Sequence, residues 1–203
     1  ASHAAGVFHN VWHVDVRSLY PSIIIARGIH PATDSCNLFN TFLRELRTFR
    51  LRAKDAARAS DNSGTRGHYD ALQGSFKILI NSFYGYLGFS QATFNDYDQA
   101  ERITAAGREI LSKMVDFLND EGATVIELDT DGIYFVPPGS CTDPEEMEQR
   151  IQGILPEGIE VDLDETFEAM FSYKSKNYAL LTHDGQIAVT GGALKSRGLE
   201  PFQ

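Results

Sequence analysis

Cysteine is nearly absent from the sequence. Cys36 and Cys141 lie far apart, and neither belongs to a CxxC or Cys/His spacing. That excludes a zinc centre and a disulfide framework and leaves two ordinary reduced thiols. No apolar run approaches the roughly 18 residues of a membrane helix, and the N-terminus lacks the basic-then-apolar layout of a secretory signal. A cytoplasmic protein with no membrane partner is expected. Internal repeats are missing, and the one loop-like low-complexity stretch is RASDNSGTRG, 58–67. Basic residues are scarce in one region: from Asp116 to Glu168 only Arg150 is basic, whereas eight of the 18 Lys and Arg residues lie between Arg44 and Lys77. The net charge of −10 argues at first against a polyanionic partner, but it averages over two different surfaces. What the chain does have is a 42% hydrophobic content over 203 residues, enough for one compact domain with a small subdomain.

The elements read as mixed α and β. VWHVDV (11–16) alternates as a strand and ends on a carboxylate, Asp15, whose burial would be costly without a neutralising partner. SLYPSIIIARG follows with Ser18 as a candidate N-cap, Pro21 in the first turn and Gly28 as a stop. Residues 42–59 and 69–85 read as amphipathic helices, paired antiparallel across the 58–67 loop. The segment 98–120 repeats Ile103, Ala106, Ile110, Met114 and Phe117 on one face, which marks it as core scaffolding. Trp12 also reads as core. Two hairpins follow: 123–139, with Asp-Thr-Asp-Gly at its tip, and KNYALLTHDGQIAVTGG, turning at Asp184-Gly185.

Three features carry chemistry. Asp129 and Asp131 stand two residues apart, so a persisting strand pattern points both to one side. Their repulsion is relieved by a divalent cation, and hard oxygen ligands select Mg2+ or Mn2+; Asp-Thr-Asp-Gly is equally readable as a simple turn. An EF-hand is excluded, because no further ligands follow in register. Lys77, Asn81 and Tyr84 share one helical stripe, while Leu72, Phe76, Leu79, Ile80 and Phe83 cover much of the rest. On the preceding helix Arg47, Arg50, Lys54 and Arg58 form a basic stripe. Either stripe alone reads as a solvated face, but the two on paired helices point to a polyphosphate.

DVRSLYPSIII, KILINSFYG and LDTDGIYF, in that order, resemble the three polymerase motifs of family B DNA polymerases of bacterial and archaeal type. SKNY (175–178) resembles the motif that touches primer and template, and RGLE (197–200) resembles the segment leading into the thumb. The resemblance implies an α+β fold in which an antiparallel-sheet palm packs on helices and carries an inserted two-helix fingers subdomain. Its division would be palm 1–40, fingers 41–85 and palm 86–203.

It also implies template-directed nucleotidyl transfer from a dNTP to a primer 3′-hydroxyl with release of pyrophosphate. Asp15 and Asp131 would hold two Mg2+ ions, replaceable by Mn2+, with the Val16 carbonyl as a further ligand and Asp129 in support. Lys77 would neutralise the triphosphate and Asn81 would contact phosphate or sugar. Tyr84 would pack beside the nascent pair. Tyr20, with Ser18 and Leu19, would line the nucleotide, and its ring would exclude a 2′-hydroxyl. The Arg and Lys that such enzymes carry on the first fingers helix would be Arg47 with Arg50, or Arg50 with Lys54. Lys176, Tyr178 and Gly85 would face DNA.

Primer-template DNA, dNTP and the exonuclease and thumb domains of a parent polymerase are the implied partners of a monomer, nucleoid-associated if bacterial or archaeal. The sequence departs from the pattern at Gly132, where many members have Ser, and at Ser175 and Asn177, which replace basic residues. The alternative reading is a non-catalytic palm module that binds Mg-dNTP or a partner. A palm-like nucleotide cyclase is disfavoured by the NSFYG helix.

Overall fold

The computed structural model describes residues 3–192, so RGLE lies outside the described residues. By internal contacts the chain divides into two units. One comprises the chain up to residue 17, 109–156 and the chain from 160; the other comprises 18–108 and 157–159.

The first unit is built on a six-stranded, wholly antiparallel sheet of order β2-β3-β1-β4-β5-β6. Its strands are β1 (Gly6–Val16), β2 (Thr124–Leu128), β3 (Gly132–Val136), β4 (Val161–Lys174), β5 (Asn177–Leu181) and β6 (Ile187–Thr190). β1 is central because its β-branched and aromatic residues fit a position covered by neighbours on both edges. Trp12 pairs with Phe135 on β3, and the ladder to β4 shifts register between His13 and Asp15. Such an irregularity bends a strand and re-aims its side chains, here beside the acidic end.

Val11, Ile126, Tyr134, Phe167, Met170, Tyr178 and Leu180 form a core cluster on this sheet. Each fully buried aliphatic or aromatic side chain of this kind contributes about 1.5–3 kcal/mol. Helix α5 (Pro144–Ile154) starts with the Asp143 side chain accepting from the Glu145 amide and buries Met147 and Ile151. It is tied to β4 where the Leu163 amide donates to Glu148 at 2.8 Å.

The second unit is helical: α1 (Leu19–Ala26), α2 (Leu38–Ala59), α3 (Ser63–Leu87) and the first half of α4 (Tyr97–Asp120). The start of α2 is fixed by Asp34, whose carboxylate accepts from the amides of Leu38 and Phe39. These bonds hold its pKa below the ordinary carboxylate value against the opposing pull of burial. Buried Asn40 donates to the carbonyls of Ile24 and Ile29, joining α2 to the end of α1. Ring contacts between Phe39 and Phe83 at 4.9 Å and between Phe49 and Phe76 at 6.1 Å run the two long helices antiparallel. A cavity of about 290 Å³ lies in this unit, lined by Phe39, Phe42, Leu79, Phe83, Tyr86 and Phe94 with Ser82.

Several expectations are corrected. The loop at 58–67 contracts to 60–62, because Asn62 caps α3 by accepting from the Thr65 amide and the helix then runs through Gly64 and Gly67. Ser18 does occupy the N-cap position of α1, but with φ +50° and without a side-chain capping bond. Phe117 is only half-buried, with Arg150 over its ring at 5.9 Å, and Leu118 takes the core position one helical turn beyond Met114. Leu79 is 51% exposed, leaving Ile80 as the buried neighbour.

Candidate active site

The acidic end of the sheet is assembled by backbone pairing. Asp15 lies opposite Gly132 on β3 and opposite Asp162 on β4. Beyond it, the Val16 amide donates to the Asp131 carbonyl at 2.7 Å, so the β2–β3 tip is fastened to the end of β1. Thr130 and Asp131 form the two-residue tip, closed where the Asp129 amide donates to the Gly132 carbonyl at 2.9 Å. Asp131 is exposed, while Asp129 and Asp15 are half-buried.

Gly132 is what allows this close approach. A Cβ there would lie 2.5 Å from His13 Nε2, 3.1 Å from the Val14 carbonyl oxygen and 3.3 Å from Asp15 Cβ. The His13 ring fills the space above the glycine, stacked on Tyr134 at 4.2 Å and paired through Nδ1 with Glu165 at 3.4 Å. Neither His13 nor its neighbours on β4 were found from the sequence. Asp162 would add a further charge beside Asp15, but Arg17 forks onto both of its oxygens and also reaches Glu160. The pairing with Asp162 raises the Arg17 pKa further above its usual value.

Lys176, expected at DNA, reaches the hairpin: its Nζ is 3.3 Å from Asp129 Oδ1 and 3.3 Å from Thr130 Oγ1. Burial alone would raise the Asp129 pKa, but the Thr130 amide and Lys176 together bring it below the ordinary value. Tyr178 is a core residue, 3% exposed, with its hydroxyl donating to Tyr134 at 3.4 Å. It therefore bears on any ligand through the turn it supports.

The helical unit carries the other expected residues. Lys77 and Asn81 are exposed on α3, as their stripe predicted, and Gly85 has open space beside its Cα. Tyr84 lies against Tyr20, ring centroids 4.4 Å apart. Gly107 on α4 leaves room for this pair, because a Cβ there would come within 3.2 Å of the Tyr20 ring and 3.4 Å of Leu19. Leu19 is buried and Ser18 half-buried. On α2, Arg47 and Arg50 are half-buried while Lys54 and Arg58 are exposed. Burial, and then the charge of Arg47, lower the Arg50 pKa, and the buried Arg50 Nε has no hydrogen-bond partner. Two close guanidiniums with an unmet donor fit an anion.

The donor types at the sheet end suit a hard cation: the carboxylates of Asp15, Asp129 and Asp131, beside a glycine whose missing Cβ would otherwise lie 3.3 Å from Asp15 Cβ. Among the described residues no group of three or more His, Cys, Asp or Glu is close enough to hold an ion.

An antiparallel sheet with carboxylates on its central strand and at a hairpin tip, in a chain that also carries a helical hairpin with a basic stripe, is an α+β fold of palm-and-fingers type. The profile of DNA polymerase family B matches residues 34–201, and the chain belongs to that family. It is 31% identical to a DNA polymerase of Archaeoglobus fulgidus over 92% of this chain and 26% of that protein. It is 30% identical to one of Pyrococcus glycovorans over 92% and 28%. The fold matches the family B DNA polymerase of Pyrobaculum calidifontis with a TM-score of 0.73 at 23% identity, covering 94% of this chain and 28% of that one. The chain thus spans little more than a quarter of these relatives' length. Among the described residues no helix is long and apolar enough to cross a membrane.

Proposed function

We propose that the chain is the catalytic core of a template-directed DNA polymerase, joining a dNTP to a primer 3′-hydroxyl with release of pyrophosphate. The observation that supports this reading is the backbone bond from the Val16 amide to the Asp131 carbonyl, which fastens the residue after Asp15 to the β2–β3 tip. Palm residues would be 1–40 and 86–203, and fingers residues 41–85.

Two divalent ions, Mg2+ or Mn2+, supply the charge that lowers the pKa of the primer hydroxyl and offsets the phosphates. Asp15, Asp131 and the Val16 carbonyl hold them, and Asp129 supports the site. Phosphoryl transfer then asks the protein mainly for positioning and charge. Lys77 and Asn81 bind the triphosphate from α3, with Arg50 and either Arg47 or Lys54 from α2. Ser18, Leu19 and Tyr84 line the nucleotide. Lys176, Tyr178 and Gly85 bear on primer-template DNA. Exonuclease and thumb domains are the partners of a monomeric, cytoplasmic enzyme, nucleoid-associated in a bacterium or archaeon.

Tyr20 is the steric gate in this reading, its ring lying against Tyr84 and close to Gly107. Tyr20→Ala is expected to raise ribonucleotide incorporation relative to deoxyribonucleotide by on the order of 10- to 100-fold, the factor that 1–3 kcal/mol of lost discrimination gives. Competitive primer extension measures the ratio. An unchanged ratio in an active variant assigns Tyr20 to packing alone.

A further inference from the structure

Glu127 is a carboxylate where the core needs none. It stands on β2, 1% exposed, facing Tyr134 across the ladder. Its Oε1 accepts from the Lys176 amide at 2.8 Å and from Ser175 Oγ at 3.2 Å. Its buried Oε2 has no hydrogen-bond partner; the Nε2 of His3 is 3.9 Å away and is bonded to Ser172 Oγ at 3.1 Å. Burial of a charged side chain on such terms is unfavourable for stability, which directs attention to what its bonds hold in place.

They hold the β4–β5 turn. Lys176 has φ +58°, a left-handed conformation that a residue with a Cβ seldom adopts unless its surroundings fix it. Gly191 packs onto the Lys176 carbonyl so closely that a side chain at that position would collide with it. The far end of Lys176 returns to the turn that follows β2, reaching Asp129 and Thr130. One lysine is therefore gripped twice by the β2–β3 hairpin, at its backbone by Glu127 of β2 and at its ammonium by Asp129 just beyond the strand. An ion pair as exposed as this one does little for stability, so its worth lies in placement.

We propose that Glu127 is a positioning residue that clamps the Ser175–Lys176 turn and so keeps the Lys176 ammonium on Asp129. Asp129 is thereby neutralised within the protein, and Asp15 and Asp131 are left to take the cations. The consequence for metal rests on the polymerase reading given above; the clamp itself does not.

The clamp is tested by the acylation rate of the Lys176 amine, read by mass spectrometry against exposed Lys113 in the same chain and without nucleotide. In Glu127→Ala the relative rate is expected to rise at least threefold. Glu127→Gln, whose amide oxygen can accept the same two bonds, is expected to stay near wild type. Glu127→Asp, too short to reach the turn, serves if the alanine variant does not fold, and is expected to behave like it. Mn2+ affinity without nucleotide, followed by electron paramagnetic resonance, is expected to rise severalfold in Glu127→Ala or Glu127→Asp. Adding Asp129→Asn is expected to reverse that rise. An unchanged Lys176 rate in a folded alanine or aspartate variant overturns the clamp. A raised rate with unchanged Mn2+ affinity overturns the reservation of Asp129. Absence of nucleotide incorporation even with the thumb and exonuclease domains joined to the chain, with a protected Lys176, refutes the polymerase reading and leaves the clamp standing.

Discussion

Asp131→Asn is expected to keep the fold and lose nucleotide incorporation by on the order of 10³-fold or more, comparable with removing a preorganised charge-stabilising group from an active site. The side chain is exposed at the hairpin tip, so the amide costs the core nothing and only the charge is lost. Asp129→Asn provides the contrast. Its carboxylate is already offset by Lys176 at 3.3 Å, and an exposed pair of that kind is worth about 1 kcal/mol or less, so the expected loss is within about fivefold. Equal losses at the two positions, with both variants folded by circular dichroism, would contradict the division of labour between the two carboxylates.

A second large effect is expected at Gly132. Gly132→Ser introduces the residue that many relatives of this type carry, yet here His13 Nε2 would lie 2.5 Å from the new Cβ. The imidazole cannot withdraw without leaving its stack on Tyr134, and the Val14 carbonyl and Asp15 Cβ are also tight. Overpacking of this kind costs about 1–3 kcal/mol, and incorporation should fall with it, because Asp15 adjoins the crowded contact, its Cβ 3.3 Å from the new one. His13→Ala opens the space. The double variant should therefore recover part of both losses, with a coupling of about 0.5–3 kcal/mol in denaturant unfolding. Strict additivity would mean that His13 and residue 132 are independent.

Much of this site could be read from the residues in order. The alternation of VWHVDV put Asp15 at a strand end, and Asp-Thr-Asp-Gly between two apolar runs gave the hairpin, because both signals are local. The stripe of Lys77 and Asn81 emerged as an exposed face for the same reason. What stayed hidden depends on contacts between distant positions. The grip of Glu127 on Lys176 joins residues 49 apart, and Glu127 in its strand looks like any outward-facing charge. Arg17 reads as part of a motif until β4 brings Asp162 beside it.

β4 itself was obscure because its buried positions, Val161, Leu163 and Phe167, change phase before Met170, and acidic residues interrupt the apolar pattern. The 60–62 connection was overestimated because SGTRG has turn composition, yet one capping bond from Asn62 and the partner helix outweigh that local preference. Leu79 misled in the opposite sense: its helical phase is apolar, but the space it faces is a cavity rather than a filled core.

The most direct measurement is Mn2+ binding by electron paramagnetic resonance in the presence of a dNTP and a primer lacking its 3′-hydroxyl, in wild type, Asp15→Asn and Asp131→Asn. Two ions are expected to bind to the wild type, and each single substitution is expected to weaken their binding strongly. Undiminished binding of both ions to either folded variant would show that these carboxylates do not share the cations, and the proposed chemistry would fail with them.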